Sequence, residues 1–589
     1  MKKEQISLKY LFGLILHNKP ALIWGQVITL ITILVSVPIP LMLPIMVDEV
    51  LLDKPGEVVQ TIDQFFGSGS AFYYIALVAF AVIFLRFIYF VFTVVITKIF
   101  TKIAKYVTYM VRKRVLEHLK IASMNEYETI GSGAITANLV TDVNTLDTFI
   151  ITSVSRFVSS VLTMVAVGIV MIVIDPVLGM LILFIQPLIM FISKKMVKSV
   201  GVLKREENEA IECFQEDIGE TLDLFGQIKA SNKEDYFFSK ADRQAKDIQT
   251  TSNEYGYKSV AYEKLSYTIF LIFFELLRAS GLLLVAYSDL SIGMMFAMFG
   301  YIWFIMTPVQ DILSMQYSYA SAATAIKRLN KILSLKTEAS GKEKLGEKGL
   351  ELKLQNVNFA YNEDKQVLQD ISLEIPSGAK VALIGASGSG KTTLAQVLSG
   401  FYEKQSGSFS CNGIEIENID KHALREKIFL VLQMPILFNA TLRFNITMGD
   451  ESISDEAIYE ALETAQLKEM LEGMPQGLET IVGHHGIRLS GGQRQRLSIA
   501  RMIIADPSVV IFDESTSALD VHTEAKLYAT LMPLLKEKTV ITIAHRLSTV
   551  KNADMIYVLE NGKIVQEGTH KELEEEEGHY MEFVKKQMM

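Results

Sequence analysis

Residues 20–47 contain no charged side chain, a run of 28 residues. At ~1.5 Å per residue a helix of that length crosses ~30 Å of hydrocarbon with some tilt. Five further long apolar segments follow at 71–97, 151–174, 177–193, 265–288 and 292–309, so the sequence predicts six membrane spans. Asp175-Pro176 leaves room only for a tight turn between the third and fourth, which makes those two an antiparallel hairpin.

Basic residues near the span ends set the orientation. The connections 98–150 and 194–264 carry many of them, including Lys98, Lys102, Lys105, Arg112, Lys194, Lys195 and Lys198. The loop 48–70 has Lys54 alone among five acids. The positive-inside rule then places both termini in the cytosol. Helical apolar spacing continues into the inner connections, which predicts helices extending well beyond the bilayer. Ahead of the first span, Leu8, Leu11, Phe12 and Ile15 recur at near-helical spacing and predict an interfacial amphipathic helix. No small-residue cleavage site follows Lys2, Lys3 and Lys9, so the first span is expected to be retained.

Beyond residue 320 the apolar excess ends and the chain reads as a soluble α/β protein. A net charge of -9 argues against a nucleic-acid partner, whose phosphates select a basic surface. Two cysteines, Cys213 and Cys411, sit in different halves and fit neither a disulfide framework nor a zinc site; both are expected as packed thiols in a reducing compartment. The polar stretch 336–349 reads as a linker, giving a membrane domain over 1–330, a linker over 331–350 and a soluble domain over 351–589.

The soluble part carries its chemistry in motifs. An apolar strand, 380–384, runs into Gly385-Ala386-Ser387-Gly388-Ser389-Gly390-Lys391-Thr392-Thr393 and then a helical segment, the P-loop in its strand-loop-helix setting. Its glycines let backbone N–H groups surround phosphates, Lys391 reaches the β/γ oxygens, and Thr392 offers a hydroxyl to Mg²⁺. A second buried strand, 508–512, ends in Asp513-Glu514. Asp513 at that position can hold Mg²⁺, mainly through water, and Glu514 can orient or deprotonate the attacking water. Two acids capping a strand are otherwise ordinary solvated residues.

Those features alone fit kinases and helicases too. Leu489-Ser490-Gly491-Gly492-Gln493, followed by Arg494 to Arg501, narrows the choice: it resembles the signature of ATP-binding-cassette (ABC) proteins, a glycine-rich turn opening a helix whose N-terminus can face an anion. The resemblance spans the chain, because the six-span half is also similar to that of exporters with fused membrane and ATPase parts. It implies a multidomain membrane protein: an all-α six-helix transmembrane domain of the type I ABC exporter fold plus an α/β P-loop NTPase domain. It implies ATP and Mg²⁺, and a dimer in which Ser490, Gly491, Gly492 and Gln493 contact the nucleotide held by the opposite cassette.

By the same resemblance Tyr361 stacks on adenine, Gln433 senses Mg²⁺ and the membrane domain, Asp520 belongs to the loop linking the two ATP sites, and His545 holds the γ-phosphate. Without it, Tyr361 reads as strand packing and His545 as structural. Short helices near 122–131 and 221–229 are expected to dock on the cassettes. One position departs from the pattern: exporters of this type usually have an acid just before the signature, and here His484-His485 stand there.

The implied function is ATP-driven export or flipping by alternating access, with lipid, drug and peptide cargo all open, at a bacterial inner membrane. The partner is a second copy of the chain, favoured because Lys391, Ser490, Glu514 and His545 are all present, or a paralogous half. An ATP-gated channel or sensor on the same scaffold is the reading of another class. In the spans, Arg86, Glu275 and Arg278 are charges in hydrocarbon. Either Glu275 and Arg278, three apart, form a static pair while Arg86 snorkels, or, because helix five crosses to the opposite subunit in similar exporters, Arg86 of one chain meets Glu275 of the other in a polar gate or an anionic headgroup site. Met298, with Met294, Met295 and Met306, lies in the sixth span, which in similar exporters lines the central cavity; packing in the core or against lipid is the other reading of the same residues.

Overall fold

The computed structural model describes residues 5–588 other than 55, 347–348, 362–365, 434, 484–488, 516–518 and 545–546. Within its helices the side chains at 185–190, 192–195, 197, 313, 316–317, 521, 548 and 586–588 also lie outside the description. The chain divides into two compact units, Met1–Glu117 with Gly133–Leu333, and His118–Ser132 with Ser334–Met589.

The first unit is helical. Helix Leu8–His17 starts at Ser7, whose hydroxyl accepts from the Tyr10 N–H at 3.1 Å, and it buries Leu11 and Ile15. Among the described residues five segments are long and apolar enough to cross a membrane: Lys19–Leu51, Ala71–Leu119, Ser132–Ile174, Glu234–Tyr287 and Ile292–Ile312. The expected span 177–193 lies in helix Pro176–Asp223, where part of the side chains are outside the description. Asp175 caps that helix by accepting from the Leu178 N–H at 2.7 Å, which makes the tight turn.

The first span is not one regular helix. It runs over Lys19–Ser36, then tightens to a 3-10 turn at Ile39–Leu41 and widens to π-helical turns over Ile45–Leu51. Pro38 and Pro40 lack the N–H that continues an α-helix, and their rings clash with the preceding turn. The Leu41 N–H bonds the Pro38 carbonyl in the tightened turn, and the Val37 carbonyl this leaves accepts from the buried Tyr301 hydroxyl at 2.5 Å, so the break is satisfied by the last span. Asp48 closes the same junction by accepting from Ser291 Oγ at 2.5 Å and the Gly293 N–H at 2.9 Å.

Four helices run far past bilayer length, with 49 residues in Ala71–Leu119, 48 in Pro176–Asp223, 54 in Glu234–Tyr287 and 42 in Ile292–Leu333. Met298 is fully buried against Val167, Met171, Leu178 and Ile182, with Met295 in the same cluster. Of the two readings the core one holds for Met298, and the cavity-wall place is corrected: its thioether fills core space between helices. Cys213 is likewise not packed but exposed, whereas burial pushes the Cys411 thiol up to about 12.

The second unit has two sheets. Strands Leu368–Ile375, Leu352–Phe359, Ser406–Cys411 and Ile414–Glu415 form an antiparallel sheet in that order. The larger sheet runs Lys563–Gly568, Met555–Glu560, Lys380–Gly385, Thr539–Ile543, Val509–Asp513, Ile428–Val431, and only the Lys563–Gly568 edge is antiparallel. Val509–Asp513 is buried at every position, as a central parallel strand covered on both faces must be. One apolar core lies between the two sheets and a second packs Gly491–Ala505 with neighbouring helices around Val510 and Phe512.

Candidate functional site

Two parallel strands on either side of a third build the site. Lys380–Gly385 and Val509–Asp513 flank Thr539–Ile543, and at their C-terminal ends stand the glycine-rich loop and Asp513-Glu514. This is where ligands bind in open α/β sheets.

The loop conformation requires its glycines. Gly388 and Gly390 have φ of +80° and +102°, which L side chains rarely adopt. A Cβ on Gly388 meets nothing within 4 Å, while one on Gly390 meets a Leu368 methyl at 3.0 Å. Ser389 Oγ is buried there with no hydrogen-bond partner. An orphaned hydroxyl in a glycine-rich loop at a helix start suits a phosphate.

Lys391 opens helix Lys391–Leu398 and is buried; its Nζ donates to the carbonyls of Gly385 at 3.0 Å and Ala386 at 2.8 Å. Burial lowers its ammonium pKa, opposed by the Glu514 and Asp513 carboxylates. Thr392 Oγ1 donates to Asp513 Oδ1 at 3.2 Å, and Gln433 Nε2 donates to Glu514 Oε2 at 2.6 Å. Glu514 itself has φ +45°, a left-handed conformation that turns the chain sharply off the strand end. The structure thus brings Lys391, Thr392, Asp513, Glu514 and Gln433 into one cluster. The hydroxyl, carboxylate and amide oxygens of Thr392, Asp513 and Gln433 are a hard donor set of the kind Mg²⁺ takes.

Tyr361 packs edge-on against Phe359 and Tyr402, and its hydroxyl lies 2.9 Å from Thr393 Oγ1 and donates to Gln396 Oε1 at 3.2 Å. Both the packing reading and a place beside the loop therefore hold. Ser490 caps helix Gly491–Ala505 in a reciprocal box, accepting from the Gln493 N–H at 3.2 Å and donating its N–H to Gln493 Oε1 at 2.8 Å. Ser490 and Gly491 are exposed, and no bond joins them to the glycine-rich loop of the same chain among the described residues. The signature helix does reach the cluster through Gln495, whose Nε2 donates to the Gln433 carbonyl at 3.1 Å. Asp520 caps Val521–Leu535, and backbone N–H donors from Thr523 and His522 hold its carboxyl below the usual range. His545, Ser517 and His484-His485 lie outside the described residues.

Sequence reasoning expected the segment near 122–131 on the cassette but named none of its contacts. Helix Met124–Ile130 packs in the cassette unit: Asn125 Nδ2 donates to the Tyr361 carbonyl at 3.1 Å, and Tyr402 Oη donates to Glu128 Oε2 at 2.6 Å. Burial, with Glu128 beside it, raises the Tyr402 hydroxyl pKa. Segment 225–230 is helical and belongs to the membrane unit.

Of the intramembrane charges, Glu275 and Arg278 form an ion pair at 2.5 Å on one helix face. Arg86 is not with them; it lines a separate cavity of about 630 Å³.

The fold and site define a P-loop ATPase cassette joined to a helical membrane unit. A family model described as ABC transporter matches residues 368–517, and one described as ABC transporter transmembrane region matches residues 23–309. The uncharacterized ABC transporter ATP-binding protein YwjA of Bacillus subtilis is 35% identical over 402 residues, 67% of this chain and 68% of that one. The transport/processing ATP-binding protein ComA of Streptococcus pneumoniae is 33% identical over 386 residues, 65% of this chain and 54% of that one. An ATP-dependent lipid A-core flippase of Photobacterium profundum is 37% identical over 296 residues, 50% and 51% of the two chains. Among solved structures, a bacterial Atm1-family ABC exporter with ATP bound superposes with a TM-score of 0.82 at 23% identity, covering 97% of this chain and 99% of that one, a likeness of fold.

The chain belongs to the ABC transporter family. It has the architecture of an exporter half-transporter, a multi-pass membrane protein that binds ATP and hydrolyses it to drive export.

Proposed function

We infer that two copies of this chain bind two ATP molecules between their cassettes, and that closing and reopening of the cassettes alternates the membrane helices between inward and outward access in a bacterial inner membrane. What supports this most is the single cluster of Lys391, Thr392, Asp513, Glu514 and Gln433, drawn from three distant stretches of sequence that follow three strands of one sheet. Lys391 and the loop N–H groups bind the phosphates. Thr392, Asp513 and Gln433 would hold Mg²⁺, which when bound would neutralise phosphate charge. Glu514 accepts the proton of the water that attacks the γ-phosphorus, and Gln433 fixes the carboxylate's orientation through its 2.6 Å bond. His545 takes the γ-phosphate and Tyr361 the adenine. The exposed Ser490 to Gln493 turn serves the partner's nucleotide, for which its uncovered helix N-terminus is suited.

Native mass spectrometry of the chain expressed alone tests the assembly: a two-copy species supports a homodimer, and a species that remains single until a paralogous half is added contradicts it. The Glu128 contact predicts a separation of functions. Glu128→Ala removes the carboxylate that holds Tyr402, so ATP hydrolysis persists while transport falls at least several-fold; equal loss of both activities sinks the coupling role.

A further inference from the structure

The membrane unit contains a second cavity, of about 550 Å³, which adjoins the one lined by Arg86 and shares Trp303 and Phe304 with it. The two have opposite chemistry. Apart from Arg86, the first is walled by apolar side chains such as Met42, Leu43, Val82 and Ile83. In the second, 12 of the 21 lining residues bear a hydroxyl.

Those hydroxyls have a direction. Thr29, Thr32, Thr93 and Thr97 each donate their proton to the carbonyl four residues earlier, at 2.7–2.8 Å. A hydroxyl that has given its proton to the helix keeps only lone pairs for the cavity. The wall is therefore rich in acceptors. Asp311 lines the same chamber; Ser160 Oγ donates to its Oδ2 at 2.8 Å, and Oδ1 has no partner among the described residues. Arg156 also lines the chamber and, like Arg86, has no ion-pair partner among the described residues. Charges of both signs thus line one chamber of the membrane unit with no ion pair between them among the described residues, the kind of placement that marks a cargo or ion path.

We propose that the two cavities form one cargo site for a zwitterionic lipid bearing a primary ammonium. The inference rests on the exporter reading and names its substrate class. The three N–H donors of a primary ammonium meet Asp311 Oδ1 and the threonine lone pairs, the anionic group of the same head lies towards Arg156 and Arg86, and the apolar chain follows Met42, Leu43, Val82 and Ile83. A fully methylated ammonium keeps its charge but offers no N–H, and an N-acetylated head loses the charge and keeps one donor, so both fit the acceptor wall less well.

The test is equilibrium binding by the full-length, nucleotide-free protein in dodecyl maltoside micelles. The probe is a lysophosphatidylethanolamine with a fluorophore at the end of its acyl chain, compared with its N-acetylated and choline counterparts. The parent is expected to bind the primary ammonium form at least tenfold more tightly than either. Asp311→Asn should remove that preference, and Asp311→Glu, which retains the charge, should restore most of it. Equal affinity for the three heads, or a preference that survives Asp311→Asn, overturns the proposal. So does displacement of the probe by a zwitterionic apolar dipeptide at lower concentration than by unlabelled lysolipid, which would make the cargo peptide. Binding is read without nucleotide, so its failure is distinct from a failure of ATP hydrolysis in the same preparation.

Discussion

Glu514→Gln is expected to bind ATP with near-parent affinity and to hydrolyse it at least 100-fold more slowly. General-base assistance at a positioned carboxylate contributes typically 10²–10⁴-fold, and the amide has the same shape without the charge or the basicity. The local geometry favours a clean result. Glu514 stands just past a fully buried strand, and its side-chain oxygen can still accept from Gln433 Nε2 after the change, so the turn at φ +45° is kept in place by the same partner. Single-turnover hydrolysis and nucleotide binding measured on the same preparation separate the two effects. Hydrolysis within a few-fold of the parent rate would remove Glu514 from the role of base.

Lys391→Ala acts at the earlier step. The parent ammonium is buried, donates to two carbonyls of its own loop, and faces two carboxylates, so it is a cation held at the loop in advance of any phosphate. Hydrogen bonds to charged groups are worth about 1.5–3 kcal/mol, which corresponds to roughly a 10- to 150-fold rise in the ATP dissociation constant. Isothermal titration with ATP reads it directly, and an unchanged constant would dismiss Lys391 as a phosphate ligand. Together the two variants are expected to divide cleanly, one failing in chemistry and the other in binding.

The parts of the molecule legible in the sequence are those where one local rule governs. Charge-free length marks a span, and a glycine pattern between a strand and a helix marks the loop whose Gly388 and Gly390 adopt positive φ. The break in the first span was also written locally, in Pro38 and Pro40, but a count of apolar residues passes over it because proline carries no charge. Tertiary placement was less accessible. Helical spacing alone does not say which face of the last span meets the core, and Met298 took the core face while Trp303 and Phe304 took the cavities. Nor does spacing join Glu128 to Tyr402 or Ser160 to Asp311, residues 274 and 151 positions apart. Glu275 and Arg278 meet because residues three apart share one helix face, whereas Arg86 sits on another helix and lines a cavity away from them in the same chain; its expected meeting with Glu275 is one between two copies.

The central claim is that hydrolysis at this cassette drives cargo uphill. Its most direct test is uptake by sealed proteoliposomes with cassettes facing outward, given ATP and Mg²⁺ outside and a panel of labelled lipids, peptides and drugs. The account predicts that at least one cargo accumulates in the lumen or inner leaflet above its equilibrium level, and that Glu514→Gln abolishes the accumulation. ATP-dependent flux that stops at equilibrium, as through a gated channel, or uphill accumulation that persists in Glu514→Gln, would contradict it.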